Sequence, residues 1–266
     1  MFNDHSKASI AQIVFYVPVT IMAAYLACYR HQRPRWSWII LLIFCAIRIT
    51  AGVLVIVFNQ NPSTGLMIAS IILLNVGLFP LIGATLGLIR IIIAHEEEID
   101  KRVRQCLVLS RVLFLVGIAL AVAGGCLEGS DEISDVNIGL KLVKAGYSVV
   151  VVFLACLVVA QAYFWTRLSD LSRTSQTILK AMALALPFII VRITYLFLSS
   201  LHGSDRRWND LTGPIAPFLV MGLLMEYVVV CIYLVTGFII PPWRNVEGKA
   251  RLSASGCLLV EDSSQV

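Results

Sequence analysis

Residues 36–58 read WSWIILLIFCAIRITAGVLVIVF. One charge, Arg48, interrupts the run, and apolar side chains recur on every side of a helix rather than along one stripe. A helix that is apolar all round must be enclosed on all sides, by a large protein interior or by lipid. At ~1.5 Å per residue the run is about 35 Å long, enough to cross the ~30 Å hydrocarbon core of a bilayer.

The rest of the 266-residue chain decides for lipid. Hydrophobic residues make up 59% and charged residues 14% of the chain, against ~45–50% and ~25% in soluble domains. Six more runs of this kind give seven expected spans, at roughly 10–29, 36–58, 66–93, 106–127, 145–165, 181–201 and 215–240. The expected fold is therefore all-α, a polytopic membrane protein of seven transmembrane helices. A lumenal N-terminus over 1–9 precedes the transmembrane domain of 10–240, and a polar, disordered cytoplasmic tail over 241–266 follows it. The N-terminus lacks a basic leader and a small-residue cleavage site, so the first span reads as a mature helix.

Orientation follows from the basic residues. Twelve of the 21 Lys and Arg fall in the 1–2, 3–4 and 5–6 connections and the tail, and five fall at the other end. Excess Lys and Arg marks the cytoplasmic side, which places the C-terminus there. An endomembrane such as the endoplasmic reticulum is the expected location. The net charge of +5 is mostly this asymmetry and implies no nucleic acid. Trp36, Trp38, Trp165 and Trp243 sit at span ends and read as interfacial anchors.

Four basic residues remain inside the runs. Arg90 and Arg111 lie near the cytoplasmic ends of their spans and can extend to the interface. Arg48 and Arg192 lie 11 or 12 residues in, about 17 Å deep at ~1.5 Å per residue. Glu226 is the one acid at similar depth. A mid-span charge costs at least ~2.5–3.5 kcal/mol, so these residues need partners or a wet cavity. Asn75, in the outer half of span three, is a candidate to complete a polar network. Tyr195 and Tyr233, three and seven positions after Arg192 and Glu226, can share their faces. The trio is either a tie between helices or the centre of a substrate cavity with surplus positive charge.

Spans two and six share a motif, Ile47-Arg48-Ile49-Thr50 and Val191-Arg192-Ile193-Thr194. A 3+1+3 repeat, with spans one to three recurring as five to seven, would make the two arginines equivalent. Gly83 and Gly87 form a G-x-x-x-G packing face, and Pro18, Pro80, Pro187 and Pro217 can kink their helices and free carbonyls. Trp208–Pro214 reads as a turn and helix start before span seven. The acidic cluster at Glu96, Glu97, Glu98 and Asp100 reads as a solvated helix end.

Several chemistries drop out. Span seven has no lysine for a retinal Schiff base, and there is no P-loop, no D-R-Y or N-P-x-x-Y, and no aspartate motif for magnesium-held diphosphate. Four histidines lie at or outside the run ends, and seven cysteines form no C-x-x-C pair. No metal or cofactor is expected.

The motifs R-I-T-A-G at 48–52, R-I-T-Y at 192–195, and W-N-D-L-T-G-P at 208–214 followed by Glu226 carry a resemblance over most of residues 8–243. The chain resembles a family of fungal seven-helix integral membrane proteins of largely unknown function. Proteins of this type often look like members of secondary-metabolite clusters, whose small membrane proteins include terpene cyclases. The resemblance implies an integral membrane enzyme cyclising a lipophilic, epoxidised and prenylated substrate. Epoxide opening needs an acid, and the resulting cation needs a dry pocket and electron-rich rings. The expected catalytic set is Glu226, Arg192, Arg48 and Tyr195, with Asn75, Tyr227 and Tyr233 lining the ligand. An arginine beside Glu226 opposes a proton-donating role, since it favours the ionised carboxylate. The alternative is a transporter or receptor-like protein that binds an anionic or lipophilic ligand at the positive midplane. The expected partners are the bilayer and a lipophilic small molecule.

Overall fold

Interruptions of three apolar runs, more than the runs themselves, shape the interior of this molecule. The computed structural model describes residues 4–30, 36–61, 63–96, 101–129, 132–201 and 215–241. Every regular element among them is helical. Seven helices are long and apolar enough to cross a membrane: Ser6–Arg30, Trp36–Gln60, Thr64–Ala94, Leu107–Leu127, Ser134–Thr166, Arg173–Ser199 and Ile215–Ile239. The expected all-α, seven-span architecture is thus the observed one. Large apolar side chains point outward, with Val14, Leu109 and Val159 64–71% exposed. Arg48, Arg192 and Glu226 are among the most buried side chains. An exterior this greasy needs lipid around it.

Several boundaries lie outside the apolar runs. The first helix begins at Asp4, the helix of span five at Ile133 and that of span six at Arg173. Lys141, Lys144 and Lys180 are accommodated because they are exposed on these extensions. Hydropathy reports where hydrocarbon ends, whereas a helix continues as long as its backbone bonds are satisfied. Trp208–Pro214, Trp243 and the tail beyond residue 241 lie outside the described residues.

Span one packs on two, two on three, four on five and six on seven. Spans four and five approach backbone to backbone. A Cβ placed on Gly124 would lie 2.7 Å from the Gly139 carbonyl oxygen, and one on Gly146 would lie 2.8 Å from Ala121 N. Small residues permit this close approach, which replaces the hydrophobic drive that lipid removes. The expected Gly83/Gly87 face also packs. A Cβ on Gly87 would meet the Ser37 backbone at 3.0 Å, while Gly83 faces Ile40 and Phe114 with ordinary clearance.

The tryptophans divide. Trp36 and Trp165 are exposed, as anchors are, but Trp38 is 2% exposed and lies in the core. Two positions along a helix turn the side chain by roughly 200°, so Trp36 and Trp38 cannot face the same way. Trp38 packs into the space left at Gly237, where a Cβ would sit 2.6 Å from its ring. Arg30 closes the same end of the bundle by donating to the Phe238 carbonyl at 2.6 Å.

Three interruptions remain. Span three is two helices, Thr64–Val76 and Leu78–His95, joined at Gly77. Span seven opens with a wide π-helical turn over Phe218–Leu224, directly after Pro217. Span one ends in a π turn, Leu26–Arg30.

Candidate functional site

Arg48, Arg192 and Glu226 come from spans two, six and seven and meet at one oxygen. Both arginines donate to Glu226 Oε1, Arg48 through Nη2 and Arg192 through Nε, the latter at 2.6 Å. Their side chains are 1–2% exposed. The matching depths read from the sequence correspond to a real junction.

A second shared acceptor lies opposite. The Leu74 carbonyl accepts from Arg48 Nη1 at 3.1 Å and from Arg192 Nη2 at 3.3 Å. It belongs to the last turn of the first half of span three, just before Gly77. The final carbonyls of a helix lack complete intrahelical pairing and carry the negative end of its dipole, so two cations are stabilised there. Pro80 contributes to the interruption because it has no N–H to continue the ladder.

Glycines make room for the guanidiniums. A Cβ on Gly77 would lie 3.0 Å from Arg48 Cζ, and one on Gly222, in the π turn, 3.7 Å from Arg192 Nη1. Aromatic faces complete the packing, with Phe44 5.6 Å from Arg48 Cζ and Tyr195 5.4 Å from Arg192 Cζ. Cations over ring faces gain further stabilisation where water is excluded. Gln12 donates to the backbone carbonyl of Arg48 at 2.7 Å, fixing the turn that carries it.

Bonding capacity is left over. Glu226 Oε2, Arg48 Nε, Tyr16 OH and Asn75 Oδ1 are buried without hydrogen-bond partners. Tyr16 is fully buried and within electrostatic reach of Glu226, Arg48 and Arg192. Such groups are costly unless a water, ion or ligand completes them. The centre can thus bind an oxygen-bearing group through remaining donors, and with all three charges ionised it stands at +1.

The other expected site residues divide. Tyr195 is at the centre. Asn75 is not bonded into the trio; its neighbour's backbone carbonyl fills that role and its own Oδ1 has no partner. A one-residue step on a helix turns by ~100°, which takes the amide away from the face the Leu74 carbonyl serves. Tyr227 is half-buried and packs edge-on against Tyr16 at 6.1 Å. Tyr233 shares a hydrogen bond with Thr85 at 2.6 Å, and so ties span seven to span three two turns from Glu226.

Sequence reasoning missed Tyr16, Gln12 and the two glycines. Gln12 and Tyr16 are four apart on span one, a spacing that puts them on one face and was legible. Of the acidic cluster read as a solvated helix end, Glu97, Glu98 and Asp100 lie outside the described residues. Glu96 directly follows the Leu78–His95 helix and has a further role. Its Oε1 accepts from Ser172 N at 2.9 Å and Ser175 Oγ at 3.1 Å, capping the helix of span six from outside. A carboxylate is favoured at that end by the helix dipole.

No curated protein and no solved structure matches this chain. A family model described as a domain of unknown function, DUF7702, matches residues 2–242. That stretch includes all seven spans and the charged centre, and the chain belongs to this family.

Proposed function

We propose that this protein takes a small lipophilic anion at the Arg48–Glu226–Arg192 centre and acts as a transporter or receptor. The observation that carries the reading is the surplus cation: two guanidiniums share one carboxylate oxygen in a site without exposure. A ligand carboxylate could accept from Arg48 Nε and Tyr16 OH, which have no partner. The interruptions at Gly77 and Phe218–Leu224 flank the centre. Broken helices in membrane transporters place charge at midplane. Here the carbonyl end at Leu74 holds the two arginines that would meet the anion. π turns also concentrate at functional sites. The proposed setting is an endomembrane with the C-terminus cytoplasmic, motivated by the Lys and Arg bias. Glycosylation of a C-terminal reporter would reverse that orientation.

The test uses two probes of equal chain length and different head charge. Decanoate should raise the melting temperature of the protein in neutral nanodiscs, because binding to the folded state alone stabilises it. Decanol should not. Equal shifts, or no shift with decanoate, would reject an anion site.

A second reading keeps the enzyme of secondary metabolism, a terpene cyclase acting on an epoxidised, prenylated substrate. The aromatic surround of Tyr16, Phe44 and Tyr195 favours it, since ring faces stabilise carbocations. Glu226 fits the acid role poorly, because Oε1 is taken up by two guanidiniums and only Oε2 is left to carry the proton that epoxide opening needs. Vesicles holding only this protein separate the readings. Conversion of an epoxidised prenyl substrate supports the enzyme, and uptake of unchanged anion supports the transporter.

A further inference from the structure

A second basic site lies at the other depth of the bundle, away from the buried trio. Spans two, three and four enclose a cavity of about 440 Å³, lined among others by Trp36, Leu107, Val108, Arg90 and Arg111. That volume is in the ~300–1,000 Å³ range of small-molecule sites. Trp36 is the first residue of its span, Arg90 lies in the last turns of span three, and Arg111 lies in the first turns of span four. The cavity therefore sits at one end of the bundle, at interfacial depth. It is the end at which the sequence concentrates Lys and Arg.

Arg90 and Arg111 are exposed, and no hydrogen bond or ion pair among the described residues engages either guanidinium. Glu96, the described acid nearest to Arg90 in sequence, gives its Oε1 to Ser172 and Ser175. Two cations thus converge on an apolar-walled cavity without a counter-ion among the described residues. Val108 is 61% exposed and Trp36 62%, so the cavity opens toward the bilayer. The anion present at that depth is a lipid phosphate. Guanidiniums bind phosphate oxygens in bidentate fashion, and basic pockets between membrane helices hold anionic headgroups.

We infer that the Trp36–Arg90–Arg111 cavity is a binding site for an anionic phospholipid. The two guanidiniums grip the headgroup phosphate, whose charge no choline cancels in an anionic lipid, and an acyl chain lies along Leu107 and Val108. The site stands apart from the proposed ligand centre and would hold even if that centre were purely structural.

Native mass spectrometry of the purified full chain tests it, with phosphatidylserine and phosphatidylcholine of identical acyl chains. Two arginines at ~1 kcal/mol each predict about a 30-fold preference for phosphatidylserine. R90Q/R111Q should abolish the preference, whereas R173Q/K180Q, which removes the same charge from exposed positions elsewhere, should keep it. Val108→Trp fills the cavity without changing charge and should also release the lipid. Four results would overturn the inference: equal retention of both lipids, equal loss in R173Q/K180Q, a preference that survives Val108→Trp, or full displacement by inorganic phosphate. The last would mark a site for a free small anion.

Discussion

Glu226→Gln should destabilise the protein more than loss of either arginine. The glutamine keeps the shape but leaves two buried guanidiniums facing a neutral amide, at +2 with no carboxylate. Removing one partner of a buried ion pair costs about 3–5 kcal/mol. Arg48→Gln, by contrast, leaves Arg192 and Glu226 as a balanced pair joined at 2.6 Å, and its cost should be smaller. The double variant Glu226→Gln/Arg192→Gln removes a charge of each sign and should be more stable than Glu226→Gln alone. Charged groups that share one oxygen couple strongly, so the departure from additivity should reach ~0.5–3 kcal/mol. Thermal unfolding in mild detergent, read as the folded fraction by size exclusion, measures the wild type, the single variants Glu226→Gln, Arg48→Gln and Arg192→Gln, and the double variant. Additive effects would mean that the three charges do not act together.

Gly146→Leu should be as damaging from a position without charge. A Cβ there would stand 2.8 Å from Ala121 N and 2.9 Å from the Gly117 carbonyl oxygen. Both obstacles are backbone, so spans four and five must separate to admit it. Overpacking costs typically ~1–3 kcal/mol where side chains can yield, and here the yielding element is a whole helix. Gly65 provides the contrast, since a Cβ there meets nothing within 4 Å. Gly65→Ala should be neutral or stabilising by up to ~1 kcal/mol, the helical penalty of glycine relative to alanine. Folded yield and melting temperature decide the comparison. Normal folding of Gly146→Leu would show that the glycine seam does not set the distance between these spans.

The seven spans were legible in the sequence because a chain of this size has no interior that could enclose seven apolar runs of bilayer length. The charged trio was legible for a related reason. Charges are so rare within such runs that Arg48, Arg192 and Glu226 stand out by depth alone, before any contact is known. Backbone contributions were not legible. The Leu74 carbonyl has no side-chain signature, and reasoning from side chains selected its neighbour Asn75 instead. The prolines indicated where ladders break but not which carbonyl would face the cations.

Packing roles were partly hidden as well. Gly117, Gly124, Gly139 and Gly146 recur at intervals of seven within their helices, a looser pattern than the four-residue spacing at Gly83 and Gly87. Only the opposed backbone of the partner span gives the pattern meaning. Trp38 read as an anchor from its position in the run, and its burial depends on Gly237 some 200 residues away. Long-range complementarity of this kind leaves no local trace.

Two guanidiniums sharing one carboxylate oxygen, with a surplus of one positive charge, require Glu226 to be an ionised carboxylate. Its infrared spectrum measures this directly. The protein is labelled with carboxyl-¹³C glutamate, and the spectrum of Glu226→Gln is subtracted to isolate the one side chain. The predicted difference contains the paired stretching bands of a carboxylate and no protonated carbonyl band at neutral pH. A protonated carbonyl band at that pH would contradict the account, and would return to the enzyme reading the acid that it lacks.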